Sequence, residues 1–147
     1  MAGYLDQYGA GEERRGKFIK FLLIGSALAL AAGGALYWTF HNYSQERAAR
    51  QFFEALQKRD YQAAYRLWGC TEAKPCTGYR FADFLKDWGP NGPHGEIASY
   101  RIEKSRSCGS GVILTVGFGK GPAEKLWVER QDLTIGFSPL PGCPPGR

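Results

Sequence analysis

The stretch FIKFLLIGSALALAAGGALYWTF, residues 18–40, is long and apolar enough to cross a lipid bilayer. Its only charged residue is Lys20, which lies close to the start, where a long side chain can reach the headgroups. A helix of about 20 apolar residues spans the hydrocarbon core of a bilayer. The sequence therefore predicts one transmembrane helix over residues 18–40.

Basic residues beside this helix predict its orientation. Arg14, Arg15 and Lys17 precede it closely, whereas the first basic residue after it is Arg47. Because cytoplasmic flanks carry the excess of Lys and Arg, we expect a cytoplasmic N-terminus and an exported remainder.

A cleaved signal peptide is the alternative, with Ala29-Leu30-Ala31 as a small-residue cleavage site. Two features disfavour it. The leading segment contains the acidic residues Glu12 and Glu13, and the apolar run continues past the site to Trp38. We therefore favour a retained anchor.

Three small residues, Gly25, Ala29 and Gly33, recur at four-residue spacing in the apolar run. In a helix they share one face, and small residues allow a second transmembrane helix to approach closely. The alternative is that glycine and alanine are simply common in transmembrane helices. This face is the candidate packing surface for a membrane protein partner or for a second copy of the chain.

All four cysteines, Cys70, Cys76, Cys108 and Cys143, follow the predicted helix. An even number of cysteines outside the cytoplasm predicts disulfides, for which three pairings are open. We favour Cys70–Cys76, which closes a short loop, and Cys108–Cys143, which would tie the Pro-rich tail to the sheet. The spacings match no common zinc pattern and contain no C-x-x-C pair, so no metal site is expected.

The segment after the anchor changes from helical to extended patterning. Ser44 and Asp60 are candidate N-caps of two helices, and a third helix is predicted from about Tyr79 to Trp88. Glycines after Trp68 and Trp88 are expected to end the last two helices in a left-handed conformation. Strands are then predicted at 98–103, 112–118, 126–130 and 133–137, the last two joined by a tight hairpin at Gln131-Asp132.

Helices followed by an antiparallel meander predict an α+β domain. The expected organisation is a cytoplasmic tail (1–17), the transmembrane helix (18–40), the exported domain (41–138) and a Pro/Gly-rich tail (139–147).

The stretch RQFFEALQKRDYQAAYRLW, residues 50–68, resembles the opening of nuclear transport factor 2-like domains, which belong to a cystatin-like α+β superfamily. This resemblance implies about three helices packed on a curved antiparallel sheet of about four strands. The N-terminal motif YLDQYG, residues 4–9, is similar to that of small bacterial membrane proteins with no assigned activity. With the predicted orientation, this resemblance implies a bacterial inner (cytoplasmic) membrane protein whose C-terminal domain is periplasmic. Members of the superfamily include enzymes, ligand binders and assembly parts, so the fold does not supply the function.

The cone between helices and sheet is the candidate pocket that the resemblance implies, and its expected lining is aromatic: Trp68, Phe84, Trp88 and Tyr100. The simpler alternative is that these rings form the core of a small domain. Asp83, Asp87 and His94 are the remaining candidates for acid–base chemistry. We expect the two carboxylates on a solvated helix face and the histidine in an exposed loop, so neither catalytic residues nor a cofactor are predicted.

Charge excludes one class of partner. The chain carries a net charge of +5, but basic and acidic residues are interspersed without a basic block, so nucleic-acid binding is not expected. A membrane-anchored domain with a packable helix suggests a protein-interaction, accessory or assembly subunit of a membrane complex. The alternative is a domain that binds a small apolar ligand, and an enzyme is disfavoured.

Overall fold

The computed structural model describes residues 6–119 and 121–143, with side chains described from residue 14 onward. Tyr4 and the start of the YLDQYG motif, together with residues 144–147 of the predicted tail, lie outside the described residues. The chain divides into two compact units, Met1–His41 and Asn42–Arg147, one residue beyond the boundary that the sequence predicted.

The first unit contains the helix α1, Asp6–Phe40, which includes the whole apolar run. The helix is long and apolar enough to cross a membrane. Every residue from 18 to 40 is exposed within this unit. Large apolar side chains such as Leu30 and Trp38, 77% and 79% exposed, therefore have no protein cover here.

Three further helices open the second unit: α2 (Tyr43–Gln57), α3 (Tyr61–Leu67) and α4 (Phe81–Trp88). The Asp60 carboxylate accepts a hydrogen bond from the Ala63 amide over 2.9 Å, so the predicted N-cap of α3 is confirmed. The predicted cap at Ser44 is wrong, because α2 already includes Ser44 and the N-cap position lies two residues earlier, at Asn42, which forms no side-chain cap bond.

The two Trp-Gly helix ends differ from each other. Gly69 after α3 has φ +83°, the left-handed conformation that was expected. Gly89 after α4 is extended, with φ −77° and ψ 179°, so that expectation is wrong. Glycine is nevertheless required at position 89, because a Cβ atom there would collide with the carbonyl oxygen of Leu85.

Four antiparallel strands follow in sequence order, namely β1 (Arg101–Cys108), β2 (Gly111–Gly117), β3 (Glu124–Glu129) and β4 (Ile135–Phe137). The first strand starts later than predicted, because Ala98 gives its carbonyl to the Gln57 side chain of α2 over 3.0 Å instead of to a strand. The predicted two-residue hairpin is also wrong. Leu133 adopts φ +60° in a longer connection between β3 and β4.

The helices cover one face of the sheet and bury its alternate residues. Val112, Leu114 and Val116 of β2 are fully buried in the same core as Phe52 and Phe53 of α2. Fully burying one such side chain contributes roughly 1.5–3 kcal/mol. The predicted α+β class, with a long N-terminal helix and an antiparallel four-stranded sheet, is therefore confirmed.

The second unit contains two disulfides. The structure joins Cys70 to Cys76 and Cys108 to Cys143, the pairs that the sequence analysis favoured. The first ties the end of α3 to the following loop. The second holds the segment around Cys143 against the end of β1.

Candidate interaction surfaces

The small-residue face of α1 is open within the first unit. A Cβ atom added at Gly25 or Gly33 would meet no other atom within 4 Å. Ala29, between them, is exposed as well. The three predicted packing residues therefore form an uncovered face of small residues, a groove against which a second helix can pack closely.

The predicted aromatic pocket is occupied by its own rings. Trp68, Phe84 and Trp88 are 7%, 0% and 2% exposed. Phe52 packs against Trp68 and Trp88 with ring centroids 5.4 and 5.1 Å away. Tyr100 is half-buried and stacks on Phe53 at 4.5 Å. These four positions lie in or beside one core, and described cavities lie at its periphery.

One peripheral cavity, of about 170 Å³, has Trp88 in its lining together with residues 95–98. The indole nitrogen of Trp88 is buried and has no hydrogen-bond partner among the described residues. The space is small, and its other lining residues come mostly from one loop and the end of α2.

His94 is not the exposed loop residue that the sequence predicted. Its side chain is only 10% exposed and lies between the rings of Trp88 and Phe118, at centroid distances of 5.5 and 4.5 Å. Its Nε2 is 3.4 Å from the Glu124 carboxylate. The expectation is wrong because the Pro- and Gly-rich loop folds back onto the aromatic core, a long-range contact that local sequence does not reveal.

The two candidate carboxylates serve local structure. Asp83 accepts a hydrogen bond from Lys86 over 2.7 Å, and this contact holds the pKa of the exposed Asp83 carboxyl below its usual value. Asp87 accepts one from the Tyr79 hydroxyl, also over 2.7 Å. Burial, and then the neighbouring Asp87, raise the pKa of Tyr79. Neither carboxylate is hydrogen-bonded to His94.

A polar cluster around the buried Asn42, which no sequence pattern predicted, joins the start of α2 to the sheet. Asn42 is 2% exposed and donates to Ser105 Oγ over 3.0 Å. Its Oδ1 accepts from Ser107 Oγ at 3.0 Å and from the Arg130 guanidinium at 3.3 Å. A lone asparagine beside an apolar run carries no signal for such a cluster, because all three partners are far away in the chain.

Comparison with known proteins gives a narrow result. No family model matches the chain, and no solved structure matches it. The chain is 45% identical over 40 residues to cytochrome c oxidase subunit 5C-1 of Helianthus annuus, and 42% identical over 40 residues to subunit 5C-2 of the same plant. The matched segment is 27% of this chain and 60% and 59% of the two relatives. The chain thus spans about three-fifths of the curated relatives it matches.

These relatives correct the sequence analysis. Both are plant proteins named as subunits of cytochrome c oxidase. The interpretation of the chain as a bacterial inner-membrane protein with a cytoplasmic N-terminus and a periplasmic domain is therefore wrong. The function assigned to an exported bacterial domain, with its alternative of binding a small apolar ligand, is wrong for the same reason. Its interpretation as an accessory subunit agrees in part with relatives that are named as subunits. The expectation of a protein partner agrees with relatives that are subunits of a larger enzyme.

Proposed function

We propose that this chain is a membrane-anchored protein that associates with cytochrome c oxidase through its N-terminal helix. The names of the two partial relatives supply the partner. The uncovered apolar surface of α1 is the observation that carries the proposal. A helix of this composition needs either lipid or another helix around it.

The length of the apolar stretch suits this role. Residues 18–40 in α-helical geometry extend roughly 34 Å, slightly more than the hydrocarbon core of a bilayer. Tyr37 and Trp38, both exposed, lie at the end of the stretch, where aromatic rings prefer the membrane interface. In the proposed arrangement, the bilayer surrounds residues 18–40.

The partner helix packs on the face formed by Gly25, Ala29 and Gly33. Close backbone approach is possible on this face, because none of the three residues carries a side chain larger than a methyl group. Without a hydrophobic driving force inside lipid, such close packing stabilises helix association.

Substitution at two alanines tests the proposal. Ala29→Leu fills the groove, whereas Ala31→Leu adds the same side chain roughly 200° away around the helix. Both positions are exposed within the first unit. The full chain, tagged and extracted in mild detergent from a membrane that contains cytochrome c oxidase, is examined for co-purifying oxidase subunits and haem absorbance.

We expect the wild-type chain and Ala31→Leu to retain the oxidase and Ala29→Leu to lose it at least tenfold. Absence of oxidase from the wild-type preparation would overturn the proposed partner. Equal retention by both variants would overturn the proposed packing face.

For the second unit we propose membership of the nuclear transport factor 2-like superfamily and a non-catalytic role. The order of helices before an antiparallel sheet supports the first proposal. Residues 50–68 form the end of α2, a short turn at 58–60 and α3 with its C-cap Trp68, as the resemblance implies. The local engagement of Asp83 and Asp87 supports the second. Turnover that depends on either carboxylate would contradict it.

A further inference from the structure

The second unit has one long sheet edge, which is open except at its end, where Cys143 Sγ lies 3.4 Å from the Ser107 carbonyl oxygen. Strand β1 forms this edge and is 8 residues long, whereas β4 at the opposite edge has only 3. Within the described part of the chain, β1 pairs with β2 alone. An edge strand presents unpaired backbone N–H and C=O groups to which another strand can add.

A cavity of about 410 Å³ runs along this edge. It is lined by six consecutive residues, Tyr100 to Ser105, and by Glu46 and Arg50 of α2. The cavity leaves room beside the backbone of β1, which is where an added strand would lie.

Strand register places three cations on one face of this edge. Ile102, Ser105 and Ser107 oppose the core residues Val116, Leu114 and Val112, so they face the helices. The side chains between them face away, and they are Arg101, Lys104 and Arg106. A register shift between Ile102 and Lys104 keeps Arg101 and Lys104 on the same face.

These cations are exposed, and none of them forms an ion pair with another described residue. A second cavity, of about 500 Å³, extends over the same face and is lined by Lys104, Arg106 and Lys125. Glu103 also lines it, so one carboxylate accompanies the cations and the surface keeps a positive excess.

The cationic side chains of β1 determine which kind of strand can pair with this sheet edge. Two copies of β1 side by side would bring two rows of cations together, and like charges on adjacent strands are destabilising. A strand with carboxylates at alternate positions would instead gain an opposite charge for each cation, together with the backbone hydrogen bonds.

We propose that β1 is a docking edge for an extended acidic segment of a protein partner, which adds to the sheet with its carboxylates against Arg101, Lys104 and Arg106. This surface belongs to the second unit, and the proposal does not depend on the partner of α1.

The test uses the full chain in nanodiscs of phosphatidylcholine. The probes are a synthetic peptide of alternating Glu and Val with the length of β1, and a control peptide of alternating Lys and Val. Binding is measured by titration, and its location by hydrogen exchange of the backbone amides. We expect the acidic peptide to bind at least tenfold more tightly and to slow exchange in β1.

Charge-reversal variants distinguish binding at this surface from a general electrostatic attraction of the acidic peptide to a basic protein. Arg101→Glu, Lys104→Glu and Arg106→Glu together should abolish binding of the acidic peptide. The control combines Arg47→Glu, Lys58→Glu and Arg66→Glu, which changes the net charge equally at exposed positions in α2, just after it and in α3. It should bind as the wild type does, and circular dichroism verifies that both variants fold.

Four results would overturn the proposal. They are no binding of the acidic peptide, equal binding of both peptides, protection of β1 that rises with protein concentration alone, and protection of β1 by phosphatidylglycerol without peptide. The third would assign the edge to a second copy, and the fourth would assign it to the membrane.

Discussion

The side-chain nitrogen of Asn42 lies 3.0 Å from Ser105 Oγ and donates a hydrogen bond across 63 positions of sequence. Asn42 is the first residue of the second unit, and Ser105 is in the edge strand β1. Because Asn42 is buried, water cannot take the place of Ser105 as its partner if this bond is lost. The contact therefore fixes the start of α2 against the sheet.

Asn42→Ala should destabilise the second unit by about 1 kcal/mol, since it removes the hydrogen bonds to Ser105, Ser107 and Arg130, whose half-buried or exposed side chains can then bind water. The free energy of unfolding is measured with urea on the full chain in detergent, with near-ultraviolet circular dichroism of the aromatic core as the signal. Ser44→Ala, at an exposed position without a cap bond, should stay within about 0.5 kcal/mol of wild type. An equal loss in both variants would rule out the special role of the Asn42 cluster.

The two disulfides should contribute unequally to the free energy of unfolding of the second unit. In the chain-entropy account, the stabilisation grows with the length of the closed loop, and the sequence separations are 35 for Cys108–Cys143 and 6 for Cys70–Cys76. Replacing Cys108 and Cys143 by serine should lower the free energy of unfolding by about 4 kcal/mol, and replacing Cys70 and Cys76 should lower it by about 2 kcal/mol. The same urea titration compares the two double variants. The reverse order would show that native contacts, rather than loop closure, dominate.

Gly69→Ala should be destabilising by more than 1 kcal/mol. Its φ of +83° costs a residue with a side chain about 1–2 kcal/mol. The new Cβ atom would also lie 2.8 Å from the Thr134 methyl carbon. Gly136→Ala is the matched control, because that position has open space around it and no positive φ. Thermal unfolding should separate the two, and a melting temperature of Gly69→Ala equal to that of the control would refute the strain argument.

Stability should depend on Tyr79 at high pH. Burial and the Asp87 carboxylate raise the pKa of Tyr79 above its ordinary value of about 10. Both states keep the phenolic proton below about pH 10, so the contribution of Tyr79 is fully present there. Above that pH the unfolded state loses the proton first, and stability falls as the pH rises.

Tyr79→Phe should therefore lower stability at neutral pH, through loss of the 2.7 Å bond to Asp87, and flatten the decline above pH 10. Urea unfolding of both proteins at pH 7 and at steps above pH 10 provides the comparison. Parallel declines in the two proteins would exclude Tyr79 as the responsible group.

Much of the architecture could be predicted from local patterns in the sequence. The nearly continuous apolar run from Val112 to Phe118 predicts a central strand, and Asp60 before an apolar helix predicts an N-cap, because both signals depend on neighbouring residues only. The candidate sites were less predictable. The small-residue face of α1 follows from spacing alone, whereas the cation row on β1 depends on a register shift at Glu103 that no local pattern indicates.

By itself, the sequence determined that a long apolar helix precedes an α+β unit and that the cysteines all belong to that unit, since length, periodicity and position along the chain are sufficient for these conclusions. Only the tertiary structure decided that Asn42 meets Ser105, that His94 packs between Trp88 and Phe118, and that the aromatic rings fill the space between helices and sheet. Each of these depends on contacts between residues distant in the chain, whose free energy is realised only when the strands and helices pack together.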